Sequence, residues 1–324
     1  METISGAGCW RLVVRREREG VTILHAVTCE EKAALPDELF GLPVTALGPR
    51  ALAANRSAPA GEQVEVTCGK GGGEWTNANL RELTLPPSLK RVGDYAFLNC
   101  ARLKTLRLYD GIAFWGGSCF MNCRELDTFH LTRTADVQGE SLAYIADELS
   151  RELDVTLRTV DGAEARLVFP EYLELFEENV PNHNFNYTLC GAGYPYHQCF
   201  QNKKFSLLNY DLLWDRFLQV EHHDAAAMRL AWYRLRFPLE LTDQCAAAYR
   251  QYLRSHTGEV LTWLLESRDA QGVAFLLRQA PPDREALAAA CALARELGAA
   301  EALALLLEDQ HKRFPAGRRR TFDL

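Results

Sequence analysis

Residues 80–131 repeat with a period of 23 residues, and this period restricts the possible folds more than any other feature of the chain. The segments 80–85, 103–108 and 126–131 align with their apolar positions in step. Between them, residues 92–100 align with residues 115–123. A period of this length with the pattern L-x-x-L-x-L predicts a solenoid, in which each coil buries its apolar face against its neighbours.

The details of the repeat resemble a known family. An A-F-x-N-C turn at 96–100 is followed by a leucine strand, and L-P-x-S-L-x-x-V-G occupies 85–93. These motifs resemble the BspA-like subclass of leucine-rich repeats, and the resemblance covers roughly residues 20–132. An irregular earlier copy at 35–52 supports it, because its Leu47-Gly48 aligns with Val92-Gly93. The resemblance implies a β-solenoid.

Alternation of side chains along each strand places two polar columns on the exposed face of the predicted sheet. If the leucines of the repeat point into the core, their neighbours point outward. The first column contains Glu82, Thr105 and Thr128, and the second contains Thr84, Arg107 and His130. Ligands usually bind this surface of a solenoid, so we interpret the columns as a binding surface. The alternative is a merely solvated polar face.

Composition excludes several functional classes. The formal charge of −7 disfavours a nucleic-acid or membrane-surface partner, because phosphate binding needs many Lys and Arg side chains. No secretory signal or membrane-spanning apolar run is visible, so we expect a cytoplasmic protein with reduced cysteines. Cys100 and Cys123 then stack as small buried groups. The Gly-Lys at 69–70 lacks the flanking residues of a phosphate loop, and we interpret this segment as an inserted loop.

The chain divides into four predicted parts. Residues 1–170 form the repeat domain, with a hairpin at 9–15 and 20–28, an amphipathic helix at 140–152, and a hairpin around Asp161-Gly162. Residues 171–206 form an irregular connector. Residues 207–314 form a helical domain, with Thr242 and Asp283 as helix caps, and residues 315–324 a basic tail. Residues 294–307 resemble the helix-turn-helix part of an ankyrin repeat, so the helical domain is expected to be ankyrin-like.

The connector is rich in aromatic, amide, Cys and Gly residues, which is typical of a binding loop. We take Tyr194, Tyr196 and His197 as candidate binding residues. Three chemical alternatives remain: a zinc site, a nucleophile pair and a partial dinucleotide loop at 191–196. The zinc site would use His183, Cys190, His197 and Cys199, and the nucleophile pair would use Cys199 with His197. A fourth interpretation is a connector that packs its aromatic side chains between two domains.

These observations predict an α+β protein, with a short leucine-rich-repeat β-solenoid followed by an all-α domain of helical hairpins. No catalytic pair, metal motif or cofactor loop is evident, so we predict no enzymatic activity and no cofactor. The leading hypothesis is a cytoplasmic bacterial scaffold that binds a protein partner, with no nucleic acid or membrane involved. The alternative is a metal- or small-ligand-binding protein, possibly an enzyme, with its site in 183–200. A third possibility is oligomerisation through the helical end.

Overall fold

The computed structural model describes residues 2–5, 8–67, 73–134, 139–179 and 184–315. The chain forms two compact units, Met1–His222 and His223–Leu324. The first unit therefore extends past the predicted start of the helical domain at residue 207. Most of the predicted basic tail, and the Gly-Lys at 69–70 of the predicted inserted loop, lie outside the described residues.

The first unit contains the strands and four of the helices. Its strands are β1 (Glu2–Ser5), β2 (Trp10–Arg16), β3 (Val21–Thr28), β4 (Lys32–Ala34), β5 (Glu38–Leu39), β6 (Leu42–Leu47), β7 (Glu62–Thr67), β8 (Glu82–Thr84), β9 (Arg91–Val92), β10 (Thr105–Tyr109), β11 (Phe114–Trp115), β12 (Thr128–Thr132), β13 (Leu153–Arg158), β14 (Glu164–Phe169), β15 (Leu173–Asn179), β16 (Asn184–Cys190), β17 (Phe200–Gln201) and β18 (Lys204–Phe205). Its helices are α1 (Ser141–Glu148), α2 (Tyr194–His197), α3 (Leu207–Leu212) and α4 (Trp214–Leu218), with a 3-10 turn at Asn77–Asn79.

The leucine strands of the repeat form one six-stranded sheet, in the order β14-β13-β12-β10-β8-β4. Leu106 on β10 lies between Leu83 on β8 and Phe129 on β12, in parallel register. All three side chains are fully buried. The 23-residue period therefore corresponds to one coil of a β-solenoid, and the predicted stacking is confirmed.

A second sheet runs along the other side of each coil, in the order β1-β7-β2-β3-β6-β9-β11. Leu47 on β6 pairs with Val92 on β9, as the irregular copy at 35–52 predicts. The turns also repeat, because Asn55, Asn99 and Asn122 all have a φ of 63°. Asparagine tolerates this left-handed conformation better than most residues, which explains the Asn of the A-F-x-N-C turn.

The cysteines follow the prediction only in part. Cys100 and Cys123 are buried free thiols, and each donates a hydrogen bond to a main-chain carbonyl of the preceding coil, Leu52 O at 3.2 Å and Phe97 O at 3.1 Å. Burial raises the pKa of Cys100 to about 12, so its thiol is unreactive. Cys9, in contrast, is disulfide-bonded. The expectation that all the cysteines are reduced is therefore wrong for Cys9.

Hairpins extend the solenoid at both ends, as predicted. At the N-terminal end β2 and β3 pair antiparallel, and β3 adds in parallel to β6. At the C-terminal end β13 adds in parallel to β12 and turns back into β14 at Asp161-Gly162. Gly162 has a φ of 88°, a conformation that glycine adopts without strain.

Helix α1 closes the last coil of the repeat. In earlier coils the turn N–H groups donate to the next coil, as Phe97 N does to Cys119 O at 3.0 Å. The last turn has no further coil of this kind, and the carboxylate of Glu148 on α1 accepts from Cys119 N at 3.1 Å and Phe120 N at 2.6 Å. Tyr144 on the same helix donates to Gly116 O. Helix α1 thus supplies the acceptors that a further coil would provide.

The predicted irregular connector instead contains regular structure. Strands β15 and β16 form an antiparallel hairpin of two seven-residue strands, in which Phe176 pairs with Tyr187. Every side chain described on these strands is exposed, except that of Cys190, which is half-buried. We call this hairpin the arm. It projects from the first unit, with its base beside the buried Tyr172.

The second unit is an all-α array. Its helices are α5 (Asp224–Arg236), α6 (Asp243–Ser255), α7 (Thr257–Glu266), α8 (Ala270–Gln279), α9 (Arg284–Glu296) and α10 (Ala300–Arg313). Hairpin α7–α8 packs on hairpin α9–α10, with α7 against α9 and α8 against α10. The Thr242 and Asp283 side chains accept hydrogen bonds from Cys245 N and Ala286 N, as expected of the predicted caps. The predicted α+β class, a β-solenoid followed by a helical region, is confirmed.

Candidate functional site

The two predicted polar columns lie on the outer face of the six-stranded sheet. Thr105 pairs with Glu82 on one side and with Thr128 on the other, and Arg107 pairs in the same way with Thr84 and His130. The structure therefore brings all six side chains together on one surface. Arg107 is exposed and the other five are half-exposed.

The hairpin β13–β14 extends both columns. Asp154 and Thr156 continue the first and second columns beyond β12, and Arg166 continues the second column on β14. A third column begins one step further along the strands and contains Tyr109, Thr132, Arg158 and Glu164. We refer to the second and third columns together as the arginine face.

A cavity of about 250 Å³ opens on the arginine face. Three guanidinium groups line it, those of Arg107, Arg158 and Arg166, together with one carboxylate, that of Glu164. The remaining polar lining comes from the side chains of Thr84, Tyr109, His130, Thr132 and Thr156. Three cations and one anion give the cavity a net positive charge, although the whole chain has a formal charge of −7.

Ion pairs hold the arginine side chains in place. Glu164 binds Arg158 at 2.9 Å and Arg166 at 2.7 Å, and Glu82 lies 3.7 Å from Arg107 and 2.5 Å from Lys32. Burial works against the ionised form of Glu164, but hydrogen bonds from the two arginines outweigh it, so its pKa lies below the ordinary value. Each oxygen of Glu164 accepts a hydrogen bond from one arginine, which fixes both guanidinium groups beside the cavity.

His130 lies in the middle of this positive field. Burial lowers its pKa, and the neighbouring guanidinium groups of Arg107 and Arg166 lower it further. The imidazole is therefore neutral near pH 7, since its ordinary pKa is about 6.5. An anion bound among the arginines would oppose these effects and raise the pKa of His130.

The alternation of the sequence could have placed Thr156, Arg158 and Arg166 on this face, because they flank Asp161-Gly162 in the predicted hairpin. The register between β12 and β13 could not be predicted, because the 23-residue period ends after residue 131. The two arginines of β13 and β14 are therefore the site residues that the sequence analysis missed.

The candidate residues of the connector are placed differently. Tyr196 and His197 are 1% and 2% exposed, and Tyr194 is half-buried against the ring of Tyr172 at 5.3 Å. The rings of Tyr196 and Tyr210 lie 4.8 Å apart. Tyr196 and His197 therefore belong to an aromatic core at the base of the arm. Tyr194 and Tyr196 line a cavity of about 190 Å³, and His197 lines another of about 480 Å³, so their role in binding stays a prediction.

Among the described residues, those of the alternative zinc site and of the nucleophile pair are held in other contacts. Both ring nitrogens of His197 lie against main-chain carbonyls, with Nδ1 2.9 Å from Ala146 O and Nε2 3.0 Å from Pro170 O. The thiol of Cys199 donates to Tyr196 O at 2.9 Å, and burial raises its pKa to about 12. His183 lies outside the described residues. No group of three or more His, Cys, Asp or Glu side chains suited to a metal occurs in the described part of the chain.

A larger cavity, of about 840 Å³, lies on the second sheet beside the turn between β2 and β3. Charged side chains of both signs surround it, including Arg15, Glu17, Lys90 and Asp94. The Arg91 guanidinium covers the ring of Phe114 at 4.5 Å. Because both cations and anions line this cavity, it has no clear preference for a ligand of one charge, and the arginine face remains the stronger candidate.

Comparison with known proteins supports the repeat. The family model for a BspA type leucine rich repeat region matches residues 73–151, with six copies. No curated protein sequence matches the chain. The matches give no support to the ankyrin-like resemblance of the helical unit, which stays a prediction.

Two solved structures are similar to part of the chain. A leucine rich repeat protein of T. pallidum is 19% identical, with a TM-score of 0.29 over 40% of this chain and 55% of that one. A leucine rich cell surface protein from Faecalibacterium prausnitzii A2-165 is 17% identical, with a TM-score of 0.26 over 44% of this chain and 34% of that one. The chain thus spans about half of the first protein and about a third of the second. None of the described helices is both long and apolar enough to cross a bilayer.

Proposed function

We propose that this chain is a non-enzymatic protein-binding module, and that its arginine face binds an acidic segment of a protein partner. Leucine-rich repeat proteins generally mediate protein–protein interaction or surface binding, which supports the coarser part of the proposal. The proposal of an acidic ligand rests on the cavity lined by Arg107, Arg158 and Arg166 on the outer face of the sheet.

The chemistry of the face favours carboxylate over phosphate-rich ligands. Guanidinium groups bind carboxylates through paired N–H donors, and threonine hydroxyls beside them supply further hydrogen bonds. Three arginines, one of them paired with Glu82 and two with Glu164, are too few for the many phosphate contacts of a nucleic-acid site. The site therefore suits one or two Asp or Glu side chains of a protein.

We propose the cytoplasm as the location of the protein. The disulfide at Cys9 is the contrary observation, because disulfides persist mainly in oxidising compartments.

Selection of peptides from a random display library on the full chain tests the proposal. We expect the selected peptides to be enriched in Asp and Glu, and to bind less tightly as salt rises because exposed ion pairs are screened. The double variant Arg107→Glu/Arg166→Glu should lose binding by roughly 100-fold or more, since opposed like charges cost several kcal/mol. Arg91→Glu, on the other sheet, is the matched control and should bind normally. Peptides without acidic enrichment, or equal binding by both variants, would refute the proposal.

A further inference from the structure

The arm carries exposed apolar side chains that the first unit does not cover. Phe176 and Tyr187 pair across the two strands with their rings 4.9 Å apart, and they are 69% and 48% exposed. Phe185 is 70% exposed, and Leu189 on the same face is 38% exposed. An isolated two-stranded hairpin is at best marginally stable in water, and three or more strands with an apolar face are usually needed. The arm therefore has the composition of part of a larger sheet.

The two edges of the arm differ in charge. The three carboxylates between the hairpin ends, Glu174, Glu177 and Glu178, all stand on β15. Strand β16, with the sequence NFNYTLC, contains no charged residue and no proline. Charges and prolines are the usual protection of a free sheet edge, so β16 is the unprotected edge. Within the described residues, each strand of the arm pairs only with the other.

From these observations we infer that β16 pairs with β16 of a second copy of this chain, in antiparallel orientation about a two-fold axis at Tyr187. All seven residues of the strand find a partner in this register, with no overhang. Phe185 faces Leu189 of the second copy, and Asn186 faces Thr188. Apolar residues therefore meet apolar residues, and an amide meets a hydroxyl, which are favourable cross-strand pairs.

Two-fold pairing through the other edge of the arm, strand β15, would be unfavourable. Antiparallel pairing of β15 about Phe176 would set Glu174 opposite Glu178 of the second copy, and like charges directly opposite each other destabilise a sheet. Pairing through β16 instead leaves the two β15 strands at the outer edges, where the carboxylates are farthest apart. The distribution of charges on the arm therefore favours two-fold pairing through β16 over pairing through β15.

The two central strands of the resulting sheet share one apolar face, and Glu174 on each outer strand lies at its border, hydrogen-bonded to Tyr187. Alternation along β16 places Phe185, Tyr187 and Leu189 on one side, together with Phe176 of β15. The second copy contributes the same four side chains next to them. A two-fold interface of this kind is closed, so the assembly ends at the dimer.

The test compares two variants that put lysines at directly paired positions of the arm. Asn186→Lys/Thr188→Lys changes β16, and its matched control, Leu175→Lys/Glu177→Lys, changes the residues that pair with them on β15. Both variants place two lysines on the same face of the hairpin, at the same distance from its base. Only the first sets lysines opposite lysines in the proposed dimer.

Sedimentation velocity of the full chain, from micromolar to near-millimolar concentration, gives the oligomeric state. We expect the wild type and the β15 variant to approach twice the monomer mass, and the β16 variant to stay monomeric. A wild type that is monomeric at every concentration overturns the proposal and assigns the edge to a strand of a different protein. Loss of the dimer in both variants, or in neither, also overturns it.

Amide hydrogen exchange separates loss of pairing from loss of the hairpin. The amides of β16 that point away from β15 should gain protection in the wild type as its concentration rises. In the β16 variant the amides shared between the two strands should keep the protection of the dilute wild type. A wild-type dimer without any gain at β16 would place the interface elsewhere and contradict the inference.

Discussion

Replacement of Glu148 on α1 tests how the solenoid is closed. Its carboxylate accepts hydrogen bonds from Cys119 N at 3.1 Å and from Phe120 N at 2.6 Å, and both of these residues are buried. In Glu148→Ala Phe120 N loses its acceptor, whereas Cys119 N keeps the Tyr144 hydroxyl oxygen at 3.2 Å. A buried donor left without a partner costs about 1–3 kcal/mol, and this cost applies to Phe120 N.

Part of this cost is offset because the carboxylate itself is expensive to bury. Burial raises the pKa of Glu148, and the hydrogen bonds from Tyr144, Phe120 and Cys119 only partly compensate. We therefore expect a net loss of about 1–2 kcal/mol for Glu148→Ala. Glu148→Gln keeps one carbonyl oxygen but turns an N–H₂ group toward the other donor, and should lose about half as much.

Urea unfolding followed by hydrogen exchange is the appropriate assay, because a chain with two compact units need not unfold in one step. Peptides covering residues 115–123 report on the last turn directly. The control is Asp147→Ala, which removes a neighbouring exposed carboxylate of the same helix. If Glu148→Ala were no less stable than Asp147→Ala, the closure of the last coil by this side chain would be refuted.

The raised pKa of Glu148 also determines the direction in which stability changes with pH. Between the unfolded and the folded pKa, the native state binds more protons than the unfolded state. Stability therefore falls as pH rises through this window, which begins near pH 4.5, the ordinary value for a glutamate. Glu148→Gln cannot titrate and should lose this part of the pH dependence, which urea unfolding at a series of pH values would measure.

Three further predictions concern the packing of the first unit. In Gly93→Ala the new Cβ would lie 2.6 Å from the carbonyl carbon of Gly48, so we expect the free energy of unfolding, measured with heat or urea, to fall by about 1–3 kcal/mol. The control Gly117→Ala, whose Cβ would have no atom within 4 Å, should leave stability unchanged. Equal losses in the two variants would contradict the close stacking of the coils. Burial lowers the pKa of His197, so the native state should lose stability as pH falls through about 6.5, where the unfolded histidine gains a proton; a His197→Gln variant with the same pH slope would contradict this. Thiol titration of the denatured, unreduced chain should find fewer than the ten thiols of the sequence, because Cys9 is disulfide-bonded; recovery of all ten would contradict it.

The repeat could be predicted from the sequence because its signal is local and periodic. One 23-residue step fixes both the register of Leu83, Leu106 and Phe129 and the outward position of Arg107 and His130. Every coil repeats the same contacts, so the period remains recognisable even where one position departs from the pattern. The hairpin at Asp161-Gly162 was predictable for a different reason, since a two-residue turn determines the pairing around it.

The connector could not be predicted in the same way. His197 looks like a binding residue in sequence, but its contacts are with Ala146 and Pro170, 51 and 27 residues away. No local pattern contains such contacts. Phe185, Tyr187 and Leu189 do alternate with polar residues, as in a strand, yet all three side chains are exposed. The period-two signal of β16 was therefore overlooked in a segment whose composition is typical of a loop.

The closure of the solenoid by Glu148 has a consequence for how such arrays change in length. The carboxylate holds two amide groups of the main chain, which every turn of this shape presents whatever its side chains are. A duplicated or deleted coil would offer the helix the same pair of amides. The ends of the array can thus remain constant while the number of coils, and with it the area of the outer sheet, varies during evolution.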